Sequence, residues 1–265
     1  MSLSPQAIAS AATILCQRRR TGTQGPVLPD ACRPQTLSDA WSVQQGVAAQ
    51  FAQMGDAVGG WKCGTPAPDR LVVAPIYRST VHHQDTSPVW AHDGRVRVEP
   101  ELAFVLAHDL PPRSQAYSRA EVEAALASAH LALELIDSRY DAQAQLTFAD
   151  KLADGLVNQG LWLGPQIPVQ QAIGAVSMRI RWRTGQGPEQ QLEGVHPDQD
   201  PLAPLVWLVN YLSECGQGMS AGLPVITGSY AGTIACPVDE ALYFGFADWP
   251  EMSLRLVARP LVRPI

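Results

Sequence analysis

Two glutamates set two residues apart inside an apolar run are the first positions in this sequence whose type and spacing could do chemistry. In V-R-V-E-P-E-L-A-F-V-L-A, residues 96–107, a strand puts Glu99 and Glu101 on one face with Ala103 and Val105, and Leu102, Phe104 and Leu106 on the other. Like charges this close repel, and desolvation beside an apolar run raises the cost, so a cation is expected between them, most simply a hard divalent metal. An E-x-E alone more often marks an edge strand with both side chains in water. The motif needs a third ligand. It comes from H-L-A-L-E-L-I-D, residues 130–137, where Glu134 sits in phase with Ala132 and Ile136. Three glutamates embedded in two strand-like runs read as an oxygen-ligand set for a divalent metal.

Lys62 is one of only two lysines, with Lys151, and lies in the glycine-bounded strand A-V-G-G-W-K-C-G, residues 57–64. An isolated lysine there also fits a snorkelling surface residue. The pair His82-His83 reads as a solvated turn, since strand neighbours face opposite ways. Arg179, Arg181 and Arg183 alternate with Met178, Ile180 and Trp182, the pattern of a half-buried strand with a wet face. G-S-Y-A-G at 228–232 lacks the G-x-S-x-G spacing of a nucleophile elbow, and neither G-x-G-x-x-G nor G-x-x-x-x-G-K-[ST] occurs, which argues against a serine hydrolase and a nucleotide-phosphate site.

Those residues need a frame, and 265 residues at 46% hydrophobic and 17% charged allow a sizeable core. The expected division is a small helical N-terminal subdomain, 1–75, packed on a core of 76–265, effectively one domain. A formal charge of -6 supplies no basic field for nucleic acid. Five cysteines with no C-x-x-C pair, an odd number, point to a reducing compartment, and the opening M-S-L-S-P-Q-A-I-A-S is not expected to act as a leader peptide, nor any later run to span a membrane. A soluble cytoplasmic protein is expected, with no membrane partner.

Ser4 and Pro5 open a helix reaching about Arg20, and Ser38 caps a second that Gly55 ends. A strand is expected near Tyr77. Ser118 and Glu121 form a capping box for a helix continuing through Val122, Ala125, Leu126 and Ala129. Further helices are predicted over 148–158 and from Asp200, with Pro201 in its first turn, to Gly216. Strands are expected at 160–164, 176–183, 223–227, 241–246 and 253–257, with a Gly-rich hairpin at 184–188. This is an α+β pattern around a curved sheet with helical cover.

The assembled motifs resemble the hydratase and decarboxylase branch of the fumarylacetoacetate hydrolase superfamily. The matching pieces run in family order from G-W-K-C-G at 60–64 through V-E-P-E-L-A-F-V-L, A-L-E-L-I-D-S-R at 132–139, F-A-D-K-L-A-D-G at 148–155 and P-L-A-P-L-V-W-L at 201–208 to I-T-G-S at 226–229. The resemblance implies that superfamily's C-terminal-domain-like mixed β-sheet roll or sandwich. It also implies Mg2+ or Mn2+ on Glu99, Glu101 and Glu134, Lys62 as an acid/base or carboxylate-binding group, and a catalytic Asp154. Thr227, Gly228 and Ser229 then line the substrate, a small 2-oxo acid, as does Arg139 if that acid carries a second carboxylate. The implied reaction is hydration of 2-hydroxy-2,4-dienoates, such as 2-keto-4-pentenoate in its enol form, to 4-hydroxy-2-oxo acids in aromatic-compound breakdown, by a homo-oligomer. Decarboxylation of a 2-oxo-3-enedioate, or carbon–carbon hydrolysis of an acylpyruvate with a base such as His92, is the alternative. A non-catalytic 2-oxo-acid-binding protein is a third. T-G-S leans toward the hydratases. Two departures stand out: the loop after Lys62 is short and proline-rich, and the family's A-D-N is Ala153-Asp154-Gly155.

Overall fold

A computed structural model describes residues 2–260. The helices are α1 (Pro5–Thr21), α2 (Leu37–Gln53), α3 (Arg119–Ala124), α4 (Phe148–Ala153), α5 (Val169–Gly174) and α6 (Ala203–Glu214). The strands are β1 (Val58–Cys63), β2 (Val73–Tyr77), β3 (Val81–His82), β4 (Thr86–Val89), β5 (Arg95–Leu106), β6 (Leu126–Ile136), β7 (Asn158–Ile167), β8 (Ser177–Thr184), β9 (Gln190–Val195), β10 (Pro224–Ile226), β11 (Ile234–Pro237), β12 (Ala241–Phe246) and β13 (Met252–Ala258).

Eight strands form one mixed sheet in the order β2-β1-β10-β5-β6-β7-β3, with β11 also paired to β5, and five form a second in the order β4-β13-β12-β8-β9. The alternation in β5 and β6 explains how the two sheets meet. Leu102, Phe104, Leu131, Leu133 and Leu135 leave one face of the large sheet and join Ile180, Phe244, Leu254 and the inner side of α6 in the main core. The opposite face holds a small cluster of Ile76, Ala103, Ala132, Leu161 and Ile226, and on it stand the glutamates. Helices α1 and α2 pack with α4 around a separate apolar cluster that includes Leu15, Val43, Phe51 and Leu152. Val58–Cys63 lies wholly, and Val73–Tyr77 partly, within residues 1–75, yet both are strands of the large sheet. Among the described residues no helix is long and apolar enough to cross a membrane.

Tertiary pairing changes several boundaries. The cap of α2 is Thr36, whose hydroxyl accepts from the Asp39 amide at 3.1 Å, two residues before the expected Ser38. The capping box of α3 is present, but the helix stops at Ala124 because the following residues pair with β5, Leu126 opposite Leu106 and Ala129 opposite Phe104. The helix predicted over 148–158 ends at Ala153, and its remainder forms a turn leading into β7. Asp200 accepts from the Leu202 amide at 3.1 Å and so caps a turn ahead of α6, which begins at Ala203. His82 lies in β3, beside Trp162 of β7, rather than in a turn.

Candidate active site

The register of β5 with β6 sets Glu99 directly opposite Glu134, with Glu101 one strand repeat farther along the same face. Carboxylate oxygens of all three lie within 4.8 Å of one another. Glu101 and Glu134 are buried and Glu99 half-buried. Each is held by a different group. The Gly228 amide donates to Glu101 Oε2 at 2.7 Å, the Asn158 side-chain amide to Glu134 Oε1 at 2.8 Å, and the Thr233 hydroxyl to Glu99 Oε1 at 2.8 Å.

Lys62 projects from β1 onto this cluster. Its Nζ lies 2.7 Å from Glu134 Oε1 and 2.8 Å from Oε2, and 3.5 Å from the Leu156 carbonyl. Burial alone would depress the ammonium, but the negative field of Glu134, Glu101 and Glu99 outweighs it and leaves Lys62 above the ordinary lysine value. Burial raises the Glu101 carboxyl well above its usual range, with Glu134 adding repulsion that Lys62 only partly offsets. Glu134 is raised as well, by burial ahead of the opposing pull of Lys62.

Three carboxylates therefore face one ammonium, and the buried cluster lacks positive charge. Its donors are all hard anionic oxygens, so it fits a divalent cation such as magnesium or manganese.

Two backbone features hold these partners in place. Gly228, at φ +141°, turns its amide onto Glu101, and a β-carbon there would fall 2.7 Å from Pro197 Cγ. Gly155, Leu156 and Val157 follow α4 with φ of 70°, 53° and 59°, three consecutive left-handed residues. Such a run is costly for Leu and for the β-branched Val. Arg19 of α1 spans it, donating to the Asp154 carbonyl at 2.9 Å and the Asn158 carbonyl at 2.7 Å. The turn thereby aims the Leu156 carbonyl at Lys62.

The remaining sequence candidates fall into distinct surroundings. Asp154 and Arg139 form a buried ion pair: Arg139 donates from Nε and its backbone amide to the carboxylate, and from Nη2 to the Asp154 carbonyl at 2.7 Å. Among the described residues no hydrogen bond joins either one to Lys62 or the three glutamates. Thr227 is fully buried with an unpartnered hydroxyl, and Ser229 donates to the Gly232 and Pro100 carbonyls. His92 bonds Asp137 at 2.8 Å, and that bond holds its imidazolium above the ordinary histidine range.

Asn158 and Thr233 are site residues that sequence reasoning missed. Asn158 carries a faint signal, an amide at the head of an apolar strand. Thr233 carries none, because only the pairing of β11 with β5 brings it to Glu99.

With this geometry in view, the similar proteins fall into one group. A 4-oxalocrotonate decarboxylase from Pseudomonas putida G7, complexed with magnesium and adipate, superposes with a TM-score of 0.78 at 18% identity, covering 97% of this chain and 99% of its own. A Yersinia pestis CO92 protein assigned to the fumarylacetoacetate hydrolase family gives a TM-score of 0.51 at 18% identity over 74% of this chain and 92% of its own. This chain has the fumarylacetoacetate hydrolase fold and resembles the hydratase and decarboxylase branch of that superfamily. In sequence, 2-keto-4-pentenoate hydratase 1 of Dechloromonas aromatica (strain RCB) is 27% identical over 140 residues, 52% of each chain. Hydratase 2 of the same strain is 26% identical over 144 residues, 54% of each. The matched segment thus spans about half the length of these curated relatives. No family model matches the chain.

Proposed function

We propose that this protein is a metal-dependent lyase of 2-oxo acids that hydrates 2-hydroxy-2,4-dienoates to 4-hydroxy-2-oxo acids. The observation that carries the reading is the buried cluster of Glu99, Glu101 and Glu134 with Lys62 Nζ 2.7 Å from Glu134. The similarity to two hydratases supports the reaction, and the magnesium held by the decarboxylase of the same fold supports the ion.

Glu99, Glu101 and Glu134 would hold magnesium or manganese, and the bound ion would supply Lewis-acid stabilisation of negative charge on the substrate 2-oxygen. The chain's own groups do the rest. Lys62, the ammonium of the pocket, donates and recovers a proton as the dienol becomes the ketone. Its contact with Glu134 fixes the ammonium in place, and the Leu156 carbonyl gives it a second acceptor once substrate enters. The Gly228 amide keeps Glu101 oriented, while Thr227 offers its unpartnered hydroxyl to a bound oxygen.

Decarboxylation of a 2-oxo-3-enedioate is the second reading, favoured by the full-length match in fold to the decarboxylase. One assay separates the two. Freshly generated 2-hydroxypenta-2,4-dienoate and 2-oxohex-3-enedioate are each followed by ultraviolet absorbance with Mg2+ or Mn2+ and again with EDTA. Metal-dependent loss of the dienoate with a 4-hydroxy-2-oxo acid as product supports hydration, and carbon dioxide from the diacid supports decarboxylation. No turnover of either sinks both.

A further inference from the structure

Three arginines converge on a cavity of about 390 Å³ that shares no lining residue with Lys62 and the three glutamates. Phe51, Tyr77 and Trp90, each less than a tenth exposed, supply flat apolar walls, and Arg19, Arg20 and Arg259 supply the charge. Tyr77 stacks on Phe51 with ring centroids 4.0 Å apart. The Arg19 guanidinium lies 5.4 Å from the Tyr77 centroid and that of Arg259 5.3 Å from the Trp90 centroid. The other polar groups around the cavity are occupied. Asp56, its one carboxylate, accepts from the Ser79 amide at 3.1 Å and hydroxyl at 2.6 Å, and Gln159 spends its side chain on the Trp90 and Ile136 backbone. Among the described residues none of the three arginines has a carboxylate within ion-pairing distance. Burial, followed by repulsion from Arg139, brings Arg19 down to about 10, and burial lowers Arg259 as well. Desolvated cations without a counter-ion are costly, so this cavity lacks negative charge just as the glutamate cluster lacks positive.

We propose that the cavity is a second ligand site, which takes a planar aromatic carboxylate with its ring against Trp90 and Tyr77 and its carboxylate on Arg259. Among the described residues Arg259 uses only Nε of its guanidinium, on the Pro88 carbonyl at 3.2 Å, so its two terminal nitrogens are open to a carboxylate. The surroundings favour a singly charged carboxylate over a phosphate. Arg19 and Arg20 stand in the last turn of α1, whose carbonyl end opposes a dianion, and Asp56 adds a negative neighbour. Arg19 also clasps the turn that aims the Leu156 carbonyl at Lys62, so the bound molecule sits against the residue that holds that turn.

Calorimetric titration of the intact chain tests this with three probes that share one ring system: 2-naphthoate, 2-naphthamide and 2-naphthyl phosphate. EDTA in the buffer keeps the glutamates free of metal, which makes the result independent of the lyase reading. One 2-naphthoate should bind per chain, at least about tenfold tighter than the uncharged amide and tighter than the phosphate. Arg259→Gln should weaken 2-naphthoate about tenfold and leave the amide within about twofold, with Arg259→Lys in between. Arg20→Gln, which changes an exposed side chain, should weaken the acid by a smaller factor. In the wild type, no saturable binding of 2-naphthoate, equal binding of acid and amide, or tighter binding of the phosphate each overturns the inference whatever the variants do. So does an affinity for 2-naphthoate that survives both Arg259→Gln and Arg20→Gln in proteins melting as the wild type does.

Discussion

Lys62 and Glu134 meet at 2.7 Å although their strands are not neighbours, β10 and β5 lying between β1 and β6 in the sheet. Strands run about 4.8 Å apart, so a flat sheet would hold the two backbones roughly 14 Å from each other. The sheet has to curl, and the pocket is the inside of the curl.

This contact makes the first prediction. Lys62→Met should cut turnover by about 10²-fold or more while changing Mg2+ affinity much less, because the ammonium moves a proton and binds no metal. Steady-state rates beside a calorimetric Mg2+ titration decide it. Near-normal turnover in the variant would remove Lys62 from the chemistry.

Glu101 is a buried like-charge burden without a divalent cation. Glu101→Gln keeps an acceptor for the Gly228 amide and removes that charge, so in EDTA the variant should melt no lower than wild type. With Mg2+ at about a hundred times its dissociation constant the wild type should gain roughly 2.7 kcal/mol, and the variant much less. Identical Mg2+ shifts in the two proteins would contradict the ligand set.

The buried Arg139–Asp154 pair should matter for folding. Asp154→Ala leaves the guanidinium uncompensated and should cost about 3–5 kcal/mol in urea denaturation. If Asp154→Asn lost turnover at unchanged stability, Asp154 would instead take part directly in catalysis.

Acid stability should depend on Asp150, at the start of α4. Burial pushes its carboxyl up, but the hydrogen bonds from Arg33 Nε at 2.9 Å and Nη2 at 2.7 Å, together with those from Thr147, outweigh burial and hold it below the usual aspartate range. A carboxyl depressed on folding contributes stability that is full above its unfolded value, about 3.9, and is lost as the pH falls through the folded value. Below about pH 4 wild-type stability should therefore fall more steeply than that of Asp150→Asn. Parallel stability curves for the two proteins from pH 6 down to pH 3 would exclude this contribution.

The left-handed turn offers a further check. Val157→Gly removes a β-branched residue from φ 59°, so it should leave stability unchanged or raise it slightly while lowering turnover, since the Leu156 carbonyl beside Lys62 is held less firmly. Loss of stability together with unchanged turnover would show that the turn does not position Lys62.

Much of this protein was legible as pattern. The period-two alternation in β5 and β6 identified the two strands and the common phase of their glutamates, and capping residues located the starts of α1 and α3, because these signals depend on neighbours a few residues apart. Helix ends were less legible. Leu126 and Ala129 have helical spacing, yet a strand partner was available and pairing prevailed. Thr233 became visible beside the cluster only once β11 was located, since nothing local in the chain relates it to Glu99.

By itself the sequence determined which side chains could bind a metal and on which strand face they had to stand, since alternation is local geometry. Tertiary structure decided that Lys62 reaches Glu134 and that Arg139 is spent on Asp154. Those outcomes depend on sheet order, register and curl, which are set by packing between segments dozens of residues apart.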